Sequence, residues 1–194
     1  MKFFIFLLFL LGACAPLSPV LSPLDPPPAA EGPEIIQVIV KPIVTSGIKS
    51  EDEQKWGVDL SAYYTAFEVQ IINKTNEEVI FEPTQARLVN GSGQVIQALD
   101  EKGTIRYYMN GGGDTVVTLL PKSKAIIEAE TKRILQARLK NATIAPGGQK
   151  EGLIFFKKVS PEHCKEIALE LDVDVSESGE RKEFSFPFSC ANKS

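Results

Sequence analysis

The chain has 194 residues, 43% hydrophobic and 24% charged, with 21 basic against 25 acidic side chains for a net charge of −4. That length holds one domain with a sizeable core and is short for two, and a net acidic chain gains nothing from a phosphate backbone, which argues against nucleic acid as a partner. A single histidine, His163, leaves no Ser/His/Asp or Cys/His catalytic set of the familiar kind.

Lys2 opens the chain, an apolar run follows over residues 3–11, and Leu11-Gly12-Ala13-Cys14 closes it. A positive start, a short apolar stretch and small residues before a cleavage point are the layout of an export signal, and the run is too short to span a bilayer. The cysteine at that point, behind Leu11 and Ala13, resembles the processing site of bacterial lipoproteins. An ordinary secretory signal that happens to contain a cysteine is the plainer alternative. The resemblance implies that Cys14 is lipidated, palmitate included, that residues 1–13 are removed, and that the mature chain is membrane-anchored with 20 basic against 25 acidic residues, about −5. Ala15 stands where some Gram-negative lipoproteins carry an inner-membrane retention aspartate, so the resemblance implies an outer-membrane location facing the periplasm if the cell is Gram-negative. Residues 15–33 are proline-rich and lack apolar periodicity, so residues 14–34 read as the lipidated cysteine and a tether reaching up to about 60 Å. A single β-rich domain is expected over residues 35–194.

Residues 35–40 are β-branched and read as a strand. Residues 46–55, with the acidic run Glu51-Asp52-Glu53, read as a solvated loop anchored by Trp56. Phe67, Val69 and Ile71 alternate with Glu68 and Gln70, which predicts a strand ending near the polar turn Asn73-Lys74-Thr75-Asn76. Short strands are expected at 79–81 and from Pro83 through Ala86 and Leu88. Asn90-Gly91-Ser92-Gly93 is the clearest hairpin signal, with 95–99 pairing back, because Asn and Gly tolerate the positive φ of tight turns. A further strand is expected over 105–109. Gly111-Gly112-Gly113 lacks the Walker lysine and serine and reads as a loop.

Residues 122–140 predict one amphipathic helix, with Ile127, Ile134, Leu135 and Leu139 approximating one face and Glu128 placed to pair with Lys132. Pro146-Gly147-Gly148 lies beyond its end. The apolar run 152–156 reads as a strand, and residues 166–175 and 182–190 as a closing hairpin through the turn-rich 176–180. Seven to nine short strands with one inserted helix suggest a β-sandwich.

The chain has three cysteines. With Cys14 lipidated, Cys164 and Cys190 remain in a compartment that permits disulfides and bracket the last hairpin, so a bridge between them is expected. Strand parity runs against it: Cys190 shares a face with Phe184, Phe186 and Phe188, whereas Cys164 has the opposite parity to Ile167. Metal ligation by Cys164 with His163 offers two ligands where a structural zinc site wants four. No metal and no cofactor is expected. Asp172 and Asp174 share a strand face and, like Glu51 and Glu53, could collect calcium or serve glycoside chemistry. Alternation with Leu171, Val173 and Val175 favours a plain solvent face. The Asn-x-Ser/Thr matches at Asn73, Asn90, Asn141 and Asn192 are discounted as glycosylation acceptors in a bacterial lipoprotein.

Tyr64, Asn73, Pro83, Gly91-Ser92-Gly93, the helix, Ala145-Pro146-Gly147 and Gly152-Leu153-Ile154-Phe155-Phe156 together make the chain resemble bacterial lipoproteins that carry an immunoglobulin-like domain. That resemblance implies an immunoglobulin-like β-sandwich over most of residues 35–190, a cell-envelope setting and no catalytic residue. The expected function is a non-enzymatic, lipid-anchored binding or scaffold module for another envelope protein, working through an exposed strand edge or loops at one end. The alternative is an envelope hydrolase or small-ligand-binding protein whose site is built from dispersed carboxylates, tyrosines and the segment from Tyr107-Tyr108-Met109 to Gly113.

Overall fold

Alternation carries through the longest strands. In β3 (Tyr64–Asn73) Phe67, Val69 and Ile71 are buried, and in β9 (Glu166–Val175) Ile167, Leu169, Leu171, Val173 and Val175 are. The structure, a computed structural model, describes residues 20–23, 35–43, 55–111, 122–159 and 166–191. Cys14, Glu51, Glu53, His163 and Cys164 lie outside them, and for Cys190 only the backbone is described.

The remaining strands are β1 (Val20–Pro23), β2 (Ile36–Pro42), β4 (Val79–Phe81), β5 (Arg87–Asn90), β6 (Val95–Gln97), β7 (Ala142–Ile144), β8 (Gln149–Lys157) and β10 (Arg181–Ala191). Three helices lie wholly within the described residues, α1 (Leu60–Tyr63), α2 (Glu101–Met109) and α3 (Lys124–Ala137), and residues 55–56 are helical as well. One antiparallel sheet holds seven strands in the order β1-β10-β9-β4-β7, with β5 also beside β9 and β6 beyond β5. The other is β2-β3-β8. The protein is therefore mainly β, with two antiparallel sheets. Nine of the ten described strands lie within residues 35–194, matching the seven to nine expected there, and the tenth is β1.

The sheets meet across one core. Val38, Phe67, Val69, Ile71, Ile154 and Phe156 of the smaller sheet face Leu88, Leu169, Leu171, Val173, Phe186 and Phe188 of the larger. The Phe67 ring lies 5.1 Å from Phe188 across the interface and 6.0 Å from Phe156 within its own sheet. On its other face the smaller sheet buries Tyr64, Ala66, Leu153 and Phe155 against Leu60, Tyr108, Ile134 and Ala137 of the helices. β8 is thus apolar on both sides, which is why residues 152–156 form an unbroken hydrophobic run. Gly152 is required there, since a Cβ would stand 2.8 Å from the Leu139 backbone where the chain leaving α3 crosses, and Leu139 N–H donates to the Leu153 carbonyl at 2.8 Å.

Both hairpins form. Asn90 Oδ1 accepts from Ser92 N–H (3.1 Å), the Ser92 hydroxyl (2.7 Å) and Gln94 N–H (2.9 Å), pinning the β5–β6 turn, and β9 pairs β10 from Glu166 opposite Ser189 to Asp174 opposite Arg181. The helix expected over 122–140 is Lys124–Ala137, capped by Ser123, and its ion pair joins Lys124 to Glu128 at 3.7 Å.

Three expectations are corrected. Residues 105–109 lie in α2 rather than a strand: Asp100 accepts from Gly103 N–H at 2.6 Å, Glu101 lies in the first turn, and Thr104 and Tyr108, four apart, are the buried pair while Met109 is exposed. The β propensity of Tyr107 and Tyr108 is overridden by a good cap and a helical burial stripe. Asp100→Ala is accordingly expected to cost about 1 kcal/mol of folding stability, read as a lowered urea midpoint, and no change in midpoint would contradict the capping role. Next, Pro83–Gln85 is a 3₁₀ turn and the strand begins only at Arg87, because proline has no N–H to give a ladder. Finally, Val20–Pro23, assigned to the tether, pairs with the edge of β10 from Val20 opposite Ala191 to Pro23 opposite Phe188. Val20, Leu21 and Ser22 are free of proline between Pro19 and Pro23, enough to satisfy part of an open edge.

Candidate functional site

The helical layer over the smaller sheet collects the groups that distinguish this molecule from a plain sandwich. All four tyrosines of the chain meet there. The turn from α1 into β3 delivers Tyr63 and Tyr64, and the last turn of α2 delivers Tyr107 and Tyr108. Ring centroids are 4.8 Å apart for Tyr63 and Tyr108, 5.8 Å for Tyr64 and Tyr107, and 4.8 Å for Tyr64 and Phe155. Each hydroxyl described in a bond ties two elements together: Tyr64 donates to the Thr104 carbonyl at 2.8 Å, Tyr107 accepts from Lys158 N–H at 3.0 Å, and Tyr108 donates to Glu130 of α3.

Lys122 completes the set. Its ammonium is 2.6 Å from Glu130 Oε2 and lies over the Tyr63 and Tyr108 rings at 5.0 and 5.6 Å. Burial, then the neighbouring phenols, push the Tyr64 pKa upward, and burial with the bond to Glu130 does the same for Tyr108. For Lys122 burial would favour the neutral amine, but Glu130 outweighs it and holds the ammonium charged. These shifts hold Tyr64 and Tyr108 as phenols and Lys122 as a paired cation at neutral pH. A cavity of about 150 Å³ touches Tyr63, Tyr108, Met109, Gly111, Lys122 and Ile127.

Beside it runs a larger groove of about 520 Å³ between α2 and α3. Met109, 66% exposed, Ile127 and Leu135 give it an apolar lining, and Glu101, Glu128, Lys132 and Lys140 supply charges of both signs. Arg138, at the end of α3, donates to the Leu99 carbonyl at 3.4 Å, which ties that end of α3 to the start of α2.

Of the candidate carboxylate ligands, Asp172 and Asp174 each lie beside an arginine. Asp174 accepts two bonds from Arg181, at 2.7 and 3.2 Å, and Arg87 lies 3.3 Å from Glu170 and 3.6 Å from Asp172. Asp174 keeps the solvent face expected of it, but Asp172 is largely covered, its side chain only 9% exposed. Among the described residues no three His, Cys, Asp or Glu side chains are grouped to hold a metal. Asn73 and Asn90 are buried, so neither amide is open to modification in the fold.

On the outer face of the smaller sheet the Glu68 and Glu151 carboxyls lie together beside Lys55, placed to share a proton. Burial would raise the Glu68 pKa, yet the bond with Glu151 and the Lys55 charge bring it down. Glu151 is raised by its bond to Glu68, with burial adding to it. A lowered folded pKa gives Glu68 a contribution that is present at neutral pH and lost as pH falls through that value. A raised one gives Glu151 a contribution that is full below its unfolded pKa and lost as pH rises through the folded one. Glu151→Gln supplies an amide donor in place of the shared proton and removes the second charge. It is expected to stabilise at pH 7 by less than about 1 kcal/mol, given exposure and screening, with the gain fading as pH falls through the raised Glu151 pKa and gone by about pH 4. Paired thermal melts at the two pH values check this; a gain that grows on acidification would contradict it.

The sequence reading reached Tyr107 and Tyr108 but neither Tyr63, Lys122 nor Glu130, which come from separate elements. The one signal available was the repeated Tyr-Tyr doublet. No protein-family model matches the chain, and no curated protein does. Among solved structures the chain is similar to the X-ray structure of Northeast Structural Genomics Consortium target SoR45, at 14% identity and a TM-score of 0.36, over 85% of this chain and 91% of that one. Among the described residues no helix is long and apolar enough to cross a membrane.

Proposed function

We propose that this protein is a lipid-anchored cell-envelope protein, fixed to the membrane through Cys14, whose immunoglobulin-like sandwich is a non-enzymatic binding or scaffold module for another envelope protein. The α2–α3 groove is the surface it offers. The observation that carries this reading is the groove's make-up: exposed Met109 with Ile127 and Leu135, ringed by Glu101, Glu128, Lys132 and Lys140. An unbranched, polarizable Met in an apolar floor with charges on the rim suits an amphipathic helix from a partner.

The hydrolase or small-ligand reading has one observation in its favour, the cavity against Tyr63, Tyr108 and Lys122. Among the described residues its polar groups pair with one another, Lys122 with Glu130 and Tyr108 with Glu130. Recognition is therefore the stronger reading. Intact mass and membrane fractionation of the wild type and Cys14→Ser test the anchor, and retention of an unlipidated chain on the membrane would defeat it. In-cell cross-linking followed by affinity purification tests the module. A defined envelope protein recovered only with the anchored form supports it, and recovery of nothing above background counts against it.

A further inference from the structure

The geometry points to a membrane-facing end of this domain, set by the strand β1, and so to a partner met in the half nearer the bilayer; this rests on the anchor at Cys14 proposed above. Val20, the first residue of β1, pairs with Ala191 at the end of β10, and Ser189 nearby pairs with Glu166 at the start of β9. The β5–β6 turn lies at the same end, since Gly91 N–H donates to the Glu166 carbonyl at 3.0 Å. The turn 176–180 lies at the other, where β10 starts and β9 finishes.

Two lengths decide the orientation. Five residues lie between Cys14 and Val20, and the six fully extended steps from one to the other span at most about 20 Å. β9 is ten residues long, and a strand of that length separates its ends by about 30 Å. With β1 docked, the 176–180 end cannot rest on the membrane while the Val20 end stands a full strand length above it. Were residues 20–23 free, the leash would run to Ile36 and reach about 70 Å, and either end could face the lipid. β1 thus holds the Asn90–Gly93 turn toward the bilayer and the 176–180 turn away from it.

The α2–α3 layer belongs to the near half. Asn73, at the end of β3, bonds the Ile144 carbonyl beside Val79, which pairs with Val175 at the far end, whereas Phe67 packs on Phe188 beside β1. Tyr64, whose hydroxyl meets α2, lies beyond Phe67 toward the membrane. A partner entering the groove is therefore met in the half of the domain nearer the bilayer.

The test uses the acylated full chain, purified from membranes and reconstituted into vesicles carrying a dansyl-headgroup lipid. Trp56, the single tryptophan, is replaced by Phe and a new one is placed at Ser92→Trp or Glu177→Trp. Energy transfer is expected to be several-fold stronger from position 92. Inserting about twenty Gly/Ser residues after Ala15 leaves β1 intact but lengthens the leash, and should erase the contrast. Equal transfer from both positions, or a contrast that survives the insertion, overturns the inference while leaving the anchor standing. An intact mass without acyl groups overturns the anchor, and the inference with it.

Discussion

Phe67→Ala is expected to cost about 3–5 kcal/mol, a large share of the stability of a domain this size. The side chain is fully buried, 0% exposed, and its ring bridges Phe156 of its own sheet and Phe188 of the other. Truncation removes the transfer energy of a benzyl group and leaves a cavity between two sheets whose backbones are fixed by their ladders and cannot close on it. In urea the midpoint should fall by about 2 M with an unchanged slope. Phe67→Leu should lose far less, because most of the volume is kept. A loss under about 1 kcal/mol for the alanine variant would mean that the sheets are not locked through this residue.

Asn73→Ala is the second large effect, expected at about 3 kcal/mol, and its cause is polar rather than volumetric. Asn73 is 0% exposed at the end of β3. Its amide nitrogen donates to the Glu77 carbonyl at 2.7 Å and the Ile144 carbonyl at 2.9 Å, and its oxygen accepts from Thr75 N–H at 3.0 Å and the Thr75 hydroxyl at 2.7 Å. One side chain thereby holds the β3–β4 turn and the end of β7 together. Removing it leaves buried carbonyls unpaired. Asn73→Asp separates the causes, since it keeps the size but turns a carboxylate toward two carbonyls. It should be at least as damaging as alanine at neutral pH. An aspartate variant as stable as wild type would contradict the hydrogen-bond account.

Asn73 also shows what was legible in the sequence. Its place at a strand end was readable from Phe67, Val69 and Ile71 alternating with Glu68 and Gln70, and the turn after it from Asn73 and Asn76. Its partner carbonyl at Ile144 was not, because nothing local ties residue 73 to residue 144. The same division holds elsewhere. The two hairpins were readable because turn chemistry at Asn90–Gly93 and 176–180 is local, and α3 because its period is. Residues 105–109, the second half of α2, read as a strand because the nine-residue helix offers little periodicity and a Tyr-Tyr doublet carries strand propensity. The decisive cues, Asp100 three residues before Gly103 and Glu101 in the first turn, were present but weak against it. β1 hid in a proline-rich stretch, because edge pairing depends on an open partner strand rather than on its own pattern. The tyrosine cluster with Lys122 and Glu130 was half legible at most, as its members come from α1, β3, α2, α3 and the residue before α3's cap.

The reading of the helical layer as a recognition surface is tested most directly by a photo-cross-linking amino acid placed at Met109 in the anchored protein in intact cells, with position 177 on the far turn as the control. The expected result is one discrete adduct with another envelope protein at position 109, absent at 177 and abolished by Leu135→Glu in a chain that still folds. No adduct at 109, or the same adducts at both positions, would contradict a partner held in the α2–α3 groove.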